Sequence, residues 1–267
     1  MSLPEAAGQL LTALILTYNE EANIARTLDH LRWLDSILVI DSGSSDATLA
    51  ILAEHVTVKV LHRPFDSFAD QCNFGLDQIA TPWVLSLDAD YRIPPALASE
   101  IQTVIRDPGS REVAGFAIPF RYCIGGRPLR SGLLPPRISL YRRALGRYRN
   151  DGHGHRIALT GPVQRLRQPI FHDDRKPLQR WLTSQTTYLA IEAAKLRATP
   201  SQQLSLADRL RKHTPLAPFA ALLFCLLWKG GVLEGWRGWA YAQQRVYAEL
   251  LLHLMLLEDH PSLSTPP

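Results

Sequence analysis

Cysteine is scarce: three residues in 267, Cys72, Cys123 and Cys225, too widely spaced for a zinc-ligand pattern or a disulfide framework. A reducing compartment is the expected setting. No long hydrophobic run is present either, because the longest, Pro215 to Trp228, has 14 residues where a spanning helix needs roughly 20. A transmembrane segment is therefore not expected. The first 11 residues lack a basic start and a small-residue cleavage site, so a secretory signal is not expected. Internal repeats are missing. Core-forming residues are not: 46% of the chain is apolar and 20% charged, which excludes disorder, collagen and coiled coil as whole-chain descriptions.

Charge is unevenly distributed. Residues 1–120 hold 7 Lys and Arg against 16 Asp and Glu, a balance of −9, whereas residues 121–180 hold 14 against 3, a balance of +11. An acidic first half suits a cation site; an arginine-dense middle, with Arg121, Arg127, Arg130, Arg137, Arg142 and Arg143, suits an anionic acceptor or lipid, or is a solvated surface. No aromatic stripe interleaves these arginines and the acidic half repels a polyanion, so nucleic acid is not expected as a partner.

Four short apolar runs, Thr12–Thr17, Ser36–Asp41, Val56–Leu61 and Trp83–Leu87, alternate with helical segments, which predicts a parallel sheet covered on both faces with its ligand site at the carboxyl ends of the strands. Asn19 is placed to cap a helix over 20–34, Ser44 or Ser45 one through Ala53, and Ser67 or Asp70 one through Ile79. A helix follows Pro95, a strand spans Val113–Phe120, and short strands fall at Ile138–Tyr141 and Ile157–Thr160. Beyond Pro177 the chain reads as helical, over 177–196, 202–212, 215–228 and 234–258.

Chemistry-bearing residues collect at the predicted strand ends. LSLDAD ends an apolar strand with Asp88 and Asp90 two apart, so both point to the same side and converge at the carboxyl edge of the sheet, where two carboxylates share a proton or a divalent cation; as strand-end turn residues they need neither. DSGSSD places Asp41 at a strand end before a turn and helix. LTYNEE places Tyr18 where its ring can stack on a base or cover a core rim.

In that order and spacing, LTYNEE, DSGSSD and DAD resemble the family 2 glycosyltransferases of the GT-A fold, over about residues 12–100. QCNFGL, IFHDDRKPLQRW and KGGVLEGWRGWAYAQQR extend the likeness toward bacterial enzymes that glycosylate lipopolysaccharide core or other cell-envelope glycans. The resemblance implies a GT-A-like, mostly parallel α/β sheet with helices on both faces and a helical C-terminal region. It implies that Thr17, Tyr18 and Glu20 line the nucleotide pocket, that Asp41 contacts the base, that Asn73 and Asp88 bind the nucleotide, and that Asp90 with Asp88 holds Mg²⁺ or Mn²⁺. Cys72 stands where the family has an arginine that contacts diphosphate. Tyr91 stands where many relatives have an acid.

Inverting transfer needs a group that takes the acceptor hydroxyl's proton. Relatives carry a His-Glu pair near NDGHGHR, but the glutamate position here is Arg156, so Asp151 is the expected base, with His153 or His155 assisting or substituting; a merely polar glycine-rich loop is the alternative. His172 is expected to complete the metal shell or touch diphosphate, Asp173 and Asp174 to cap the following helix, and Arg175 and Lys176 to be solvated, with diphosphate binding as their alternative role.

Residues 1–175 are thus expected to form the nucleotide-sugar-binding catalytic domain and 176–267 a helical region. The expected activity is an inverting, metal-dependent hexosyl transfer from a nucleotide-diphosphate sugar to a cell-envelope glycan or glycolipid. Transfer to a polyprenyl phosphate and non-catalytic sugar-nucleotide or membrane binding are the rival readings. The apolar block before Lys229, followed by Trp236 and Trp239, reads as a buried helix or as an interfacial element on the inner face of the cytoplasmic membrane, where lipid-linked acceptors are presented.

Overall fold

A computed structural model describes residues 10–151 and 154–258, the side chains of residues 151–155 excepted. The chain divides into two compact units, Met1–Cys123 with Leu134–Lys176, and Ile124–Leu133 with Pro177–Pro267. In chain order the strands and helices as far as the second unit's main helices are β1 (Leu11–Thr17), α1 (Ile24–Asp29), β2 (Ile37–Asp41), α2 (Thr48–Ala53), β3 (Val58–His62), α3 (Phe68–Asp77), β4 (Trp83–Asp88), β5 (Tyr91–Arg92), α4 (Pro95–Arg106), β6 (Gly115–Ile118), β7 (Phe120–Ile124), β8 (Arg127–Pro128, in the second unit), β9 (Arg137–Arg142), β10 (Gly146–Asp151), β11 (Gly154–Leu159), β12 (Val163–Arg165) and β13 (Ile170–His172).

The first unit is built on a seven-stranded sheet in the order β12-β6-β9-β4-β1-β2-β3. Strands β4, β1, β2 and β3 run parallel, and β9 runs antiparallel to both β4 and β6. β1 and β2 are buried on both faces, which is why LTALILT and ILVID read as continuous apolar runs. Alternate residues feed two cores: Ala13, Ile15, Val39 and Leu85 pack with Ile24 and Leu28 of α1 and Leu97 and Ile101 of α4. Leu14, Ile40 and Val84 pack with Cys72 and Leu76 of α3 and with Tyr148 and Ile157 of the β10–β11 pair. Each of the leucines, isoleucines and valines among them contributes roughly 1.5–3 kcal/mol by leaving water. The mostly parallel α/β sheet with helices on both faces is as expected from the sequence.

Local chemistry moves several element boundaries. Asn19 sits at φ 54° and caps nothing on α1; turns through residues 20–23 delay that helix to Ile24. Neither Ser44 nor Ser45 caps α2, because both are drawn to the strand-end loops, and Asp46 Oδ1 accepts the Thr48 amide instead, at 3.0 Å. Ser67 does cap α3, accepting from the Asp70 amide. The strand expected over 113–120 is interrupted at Pro119, which has no N–H to give a ladder, and continues as β7.

The second unit comprises α5 (Leu178–Ala198), α6 (Leu206–His213), α7 (Ala217–Leu223), a π-helical turn at Phe224–Trp228, a 3₁₀ turn at Gly231–Glu234 and α8 (Trp236–Leu257). Ala193, Leu196, Leu204 and Leu252 form its apolar centre. The buried Glu249 accepts from Arg211 at 2.8 to 3.2 Å, joining α6 to α8. Where the 3₁₀ turn meets α8 the backbones touch: a Cβ at Gly238 would lie 1.9 Å from the Gly231 carbonyl oxygen, so only glycine fits. Among the described residues no helix is long and apolar enough to cross a membrane.

Candidate active site

The carboxyl ends of β1 and β2 are laced together by side chains. Asp41, 1% exposed, accepts the Gly43 and Ser44 amides on Oδ1, both at 2.9 Å, and the Thr17 and Ser44 hydroxyls on Oδ2, at 2.9 and 2.6 Å. Gly43, at φ 97°, lets the chain fold back to deliver its amide. Burial alone would raise the pKa of Asp41; the Ser44, Gly43 and Thr17 bonds outweigh it and hold the carboxyl below its usual value. Asn19 Oδ1 accepts the Ser45 amide at 2.8 Å and the Glu20 amide donates to Thr48 Oγ1 at 2.7 Å, closing the seam. Tyr18 stands at its mouth, half exposed.

The two aspartates of DAD do not share one strand. β4 ends at Asp88, and the chain turns through Ala89 and Asp90 so that Tyr91 and Arg92 pair with β13. Asp88 is exposed at the strand end, with the Tyr91 hydroxyl hydrogen-bonded to it. Asp90 Oδ2 lies 3.0 Å from His172 Nε2, while Asp90 Oδ1 is buried with no hydrogen-bond partner. His172 is aligned by register, opposite Tyr91 of β5 and Tyr122 of β7, with both rings edge-on to its own. Burial would lower the His172 pKa, but Asp90, then Asp88 and Asp174, raise it. Among the described residues no three His, Cys, Asp or Glu side chains form a ready metal cage. The orphaned carboxylate oxygen beside an imidazole fits a hard or borderline cation whose remaining ligands come from elsewhere.

Glu20 turns from the seam toward this group: Lys176 Nζ donates to Oε1 at 2.5 Å and Asn23 Nδ2 to Oε2 at 3.0 Å. Burial pushes its carboxyl up to about 7 although Lys176 and Asn23 pull it down. Lys176 is therefore not the solvated cation expected from the sequence. Asp173 and Asp174 do not cap α5 either, whose N-cap is Pro177 with no side-chain bond. Asp173, 1% exposed, accepts Arg26 Nη1 and Arg175 Nε, both at 2.8 Å, with Arg92 Nε at 3.5 Å. Asp174 Oδ1 accepts Asn23 Nδ2 at 2.9 Å and the Lys176 amide at 3.0 Å. Sequence reasoning missed this knot of Asn23, Arg26 and Asp173. The HDDRK run was its one visible sign.

Asn73 is spent inside the protein: Nδ2 donates to the Tyr148 carbonyl at 3.1 Å and Oδ1 accepts the Tyr148 amide at 2.9 Å. With Asn150 Nδ2 on Ser67 Oγ at 3.3 Å and Arg147 on Asp77 at 2.7 Å, it fastens β10 along α3. β10 pairs antiparallel with β11, Asp151 opposite Gly154 and Asn150 opposite His155. His153 and the side chains of Asp151 and His155 lie outside the described residues. Cys72, at the family's arginine position, is buried in the core with its thiol pushed far up by burial.

An open α/β sheet with Asp41 and Asp88 at the carboxyl ends of parallel strands β2 and β4, on either side of β1, has the doubly wound layout in which crevices form outside those strand ends. The model of the glycosyl transferase family 2 matches residues 12–161, more than half of the chain, and the protein belongs to that family. It is similar to the lipopolysaccharide core biosynthesis glycosyltransferase LpsC of Rhizobium meliloti, 27% identical over 248 residues that cover 87% of this chain and 88% of the relative. An uncharacterized glycosyltransferase of Rickettsia felis is 35% identical over 95 residues, 35% of this chain and 33% of that protein. The structure of S. aureus TarS 1–349 in complex with UDP-GlcNAc aligns over 95% of this chain and 92% of that one, with a TM-score of 0.49 and 14% identity.

Proposed function

We propose that the protein transfers a hexosyl group, with inversion, from a nucleotide-diphosphate sugar to a cell-envelope glycan or glycolipid. The observation that carries this reading is the Asp90–His172 pair, whose unsatisfied buried oxygen stands at the end of β4 beside Asp88 and the Glu20–Lys176 pair. The LpsC likeness along most of both chains supports the envelope acceptor.

In this reading residues 1–175 hold the donor. Thr17, Tyr18, Glu20, Asp41 and Asn73 shape the nucleotide side: Tyr18 stacks on the base, Asp41 meets it in exchange for one of its present donors, and Asn73 acts through β10. Asp88 meets the ribose. Asp90 and His172, with Asp88 nearby, would hold Mg²⁺ or Mn²⁺, which when bound neutralises charge on the departing diphosphate. Asp151 takes the acceptor hydroxyl's proton, assisted or replaced by His153 or His155. The hydroxyl oxygen then bonds to the anomeric carbon as the bond from that carbon to the diphosphate oxygen breaks, and the diphosphate leaves with the electron pair. The helical region, 176–267, brings the enzyme to the inner face of the cytoplasmic membrane.

The test is a panel of nucleotide-diphosphate sugars with Mn²⁺ or Mg²⁺, read by thermal shift and then by turnover. One donor raises the melting temperature in the presence of metal, and the rise vanishes in Asp90→Asn. Asp151→Asn keeps the shift and loses turnover. No shift with any donor overturns the reading; full turnover in Asp151→Asn removes that residue from the role of base.

A further inference from the structure

The second unit carries an apolar surface that its own packing leaves outside. From Leu216 to Trp228 there is no charged residue, and buried and exposed positions alternate in pairs along α7 and the π turn: Ala217 and Pro218 in, Phe219 and Ala220 out, Cys225 and Leu226 in, Leu227 and Trp228 out. A helix made only to fill a core does not keep one uncharged face in water. The 3₁₀ turn and the start of α8 add Leu233 and Trp236; Leu233 is 88% exposed and Trp228 80%.

The charges bordering this surface are of one sign. Lys229 lies 5.7 Å from the Phe224 ring centroid, and Arg237 lies over the exposed Trp236 ring at 4.7 Å. Between Arg209 and Ala248 the one acid is Glu234. It is withdrawn from the border, because its carboxylate accepts the Arg130 amide at 2.5 Å and the Ser131 amide at 3.3 Å.

We infer that this elbow is a lipid-facing surface: Phe219, Leu223, Leu227, Trp228, Leu233 and Trp236 enter the headgroup and upper acyl zone of an anionic bilayer, and Lys229 and Arg237 meet its phosphates. Tryptophan beside lysine and arginine at the edge of an uncharged helical face is the composition of an interfacial element, and the absence of acid from the border suits a negatively charged leaflet. The elbow lies on the membrane. The inference rests on the membrane location proposed above and assigns it to these residues.

The experiment is co-sedimentation of the full chain with vesicles of phosphatidylcholine alone or mixed with phosphatidylglycerol, at low and high salt, for the wild type and for Trp228→Glu combined with Leu233→Glu. Both side chains are exposed, and an unchanged melting temperature confirms that the double variant is folded. The wild type sediments with anionic vesicles, less so as salt rises, and brominated lipid quenches its tryptophan fluorescence. The double variant binds at least about tenfold more weakly, as expected when two apolar anchors are lost. A wild type that ignores anionic vesicles, or a variant that binds as well, overturns the inference; so does wild-type dimerisation lost in the variant without vesicle binding, which would make a second copy the occupant. Donor-induced thermal shift on the same samples is equal in both proteins and reports the transferase reading separately.

Discussion

His172 Nε2 stands 3.0 Å from Asp90 Oδ2, and the two residues, 82 apart in sequence, are held together by one piece of sheet, β13 lying between β5 and β7. The Asp173 amide also donates to the Asp90 carbonyl at 3.0 Å, so the turn after β4 and the end of β13 are pinned twice. The approach of imidazole and carboxylate is thereby set by backbone hydrogen bonds before any ligand arrives.

His172→Gln should therefore lower kcat about 100-fold, the usual cost of removing one group aligned on a charged centre, while leaving the melting temperature of the free protein close to wild type. Steady-state kinetics with the donor found by thermal shift, together with Mn²⁺ affinity from its EPR signal, check this. Unchanged kcat and unchanged Mn²⁺ affinity would remove His172 from the site.

Asp41→Asn should lower the unfolding free energy at pH 7 by about 1–3 kcal/mol, because four donors aimed at a carboxylate meet an amide instead. The folded pKa of Asp41 lies below the unfolded value of 3.8. Its contribution is thus complete above pH 3.8 and is lost as pH falls through the folded value, so the deficit of the variant should narrow under more acidic conditions. Urea unfolding at pH 7 and near pH 3 measures both points.

Glu20 titrates with the opposite sign. Its carboxyl rises from 4.5 to about 7 on folding, so the folded protein binds the extra proton between those values and stability from this group declines as pH rises through them. Glu20→Gln removes the titration, so the unfolding free energy of the variant relative to wild type should improve steadily from pH 4.5 to 7. Chemical denaturation across that interval gives the slope, and parallel curves for the two proteins would contradict it.

Asn73→Ala should remove the two hydrogen bonds that its side chain makes to the Tyr148 amide and carbonyl, at a cost of about 1–3 kcal/mol. Exchange of the Tyr148 amide should accelerate, and the KM for donor should rise as kcat falls, since β10, through which Asn73 shapes the nucleotide side, also carries the segment that holds the proposed base. Hydrogen exchange resolved by residue separates this from a general loss of stability.

The alternation of strands and helices was legible because fully buried parallel strands must be apolar along their length, and LTALILT, ILVID and WVLSL are. The three acidic strand ends could be ordered from the same pattern. Local periodicity puts Asp88 and Asp90 on one strand, whereas the chain turns at Ala89 so that Tyr91 meets His172, a pairing 81 residues away in sequence. Sequence separation also hides Asp173: Arg26 of α1 is 147 residues away and Arg92 belongs to β5, and nothing near HDDRK distinguishes a helix cap from a buried hub. Asn73 matched a family asparagine, yet the strand it serves begins 73 residues later, at Gly146.

Because Gly238 meets Gly231 main chain to main chain, the angle at which α8 leaves the 3₁₀ turn is fixed by atoms that have no rotamers. Trp236 and Leu233 are thus carried on a stiff mount, and their relative placement is already settled in water. Little freedom is left to lose when that surface is covered, so even a modest apolar area can give useful affinity. A single methyl at position 238 would force the two segments apart, tilting the mount while leaving every exposed side chain chemically unchanged.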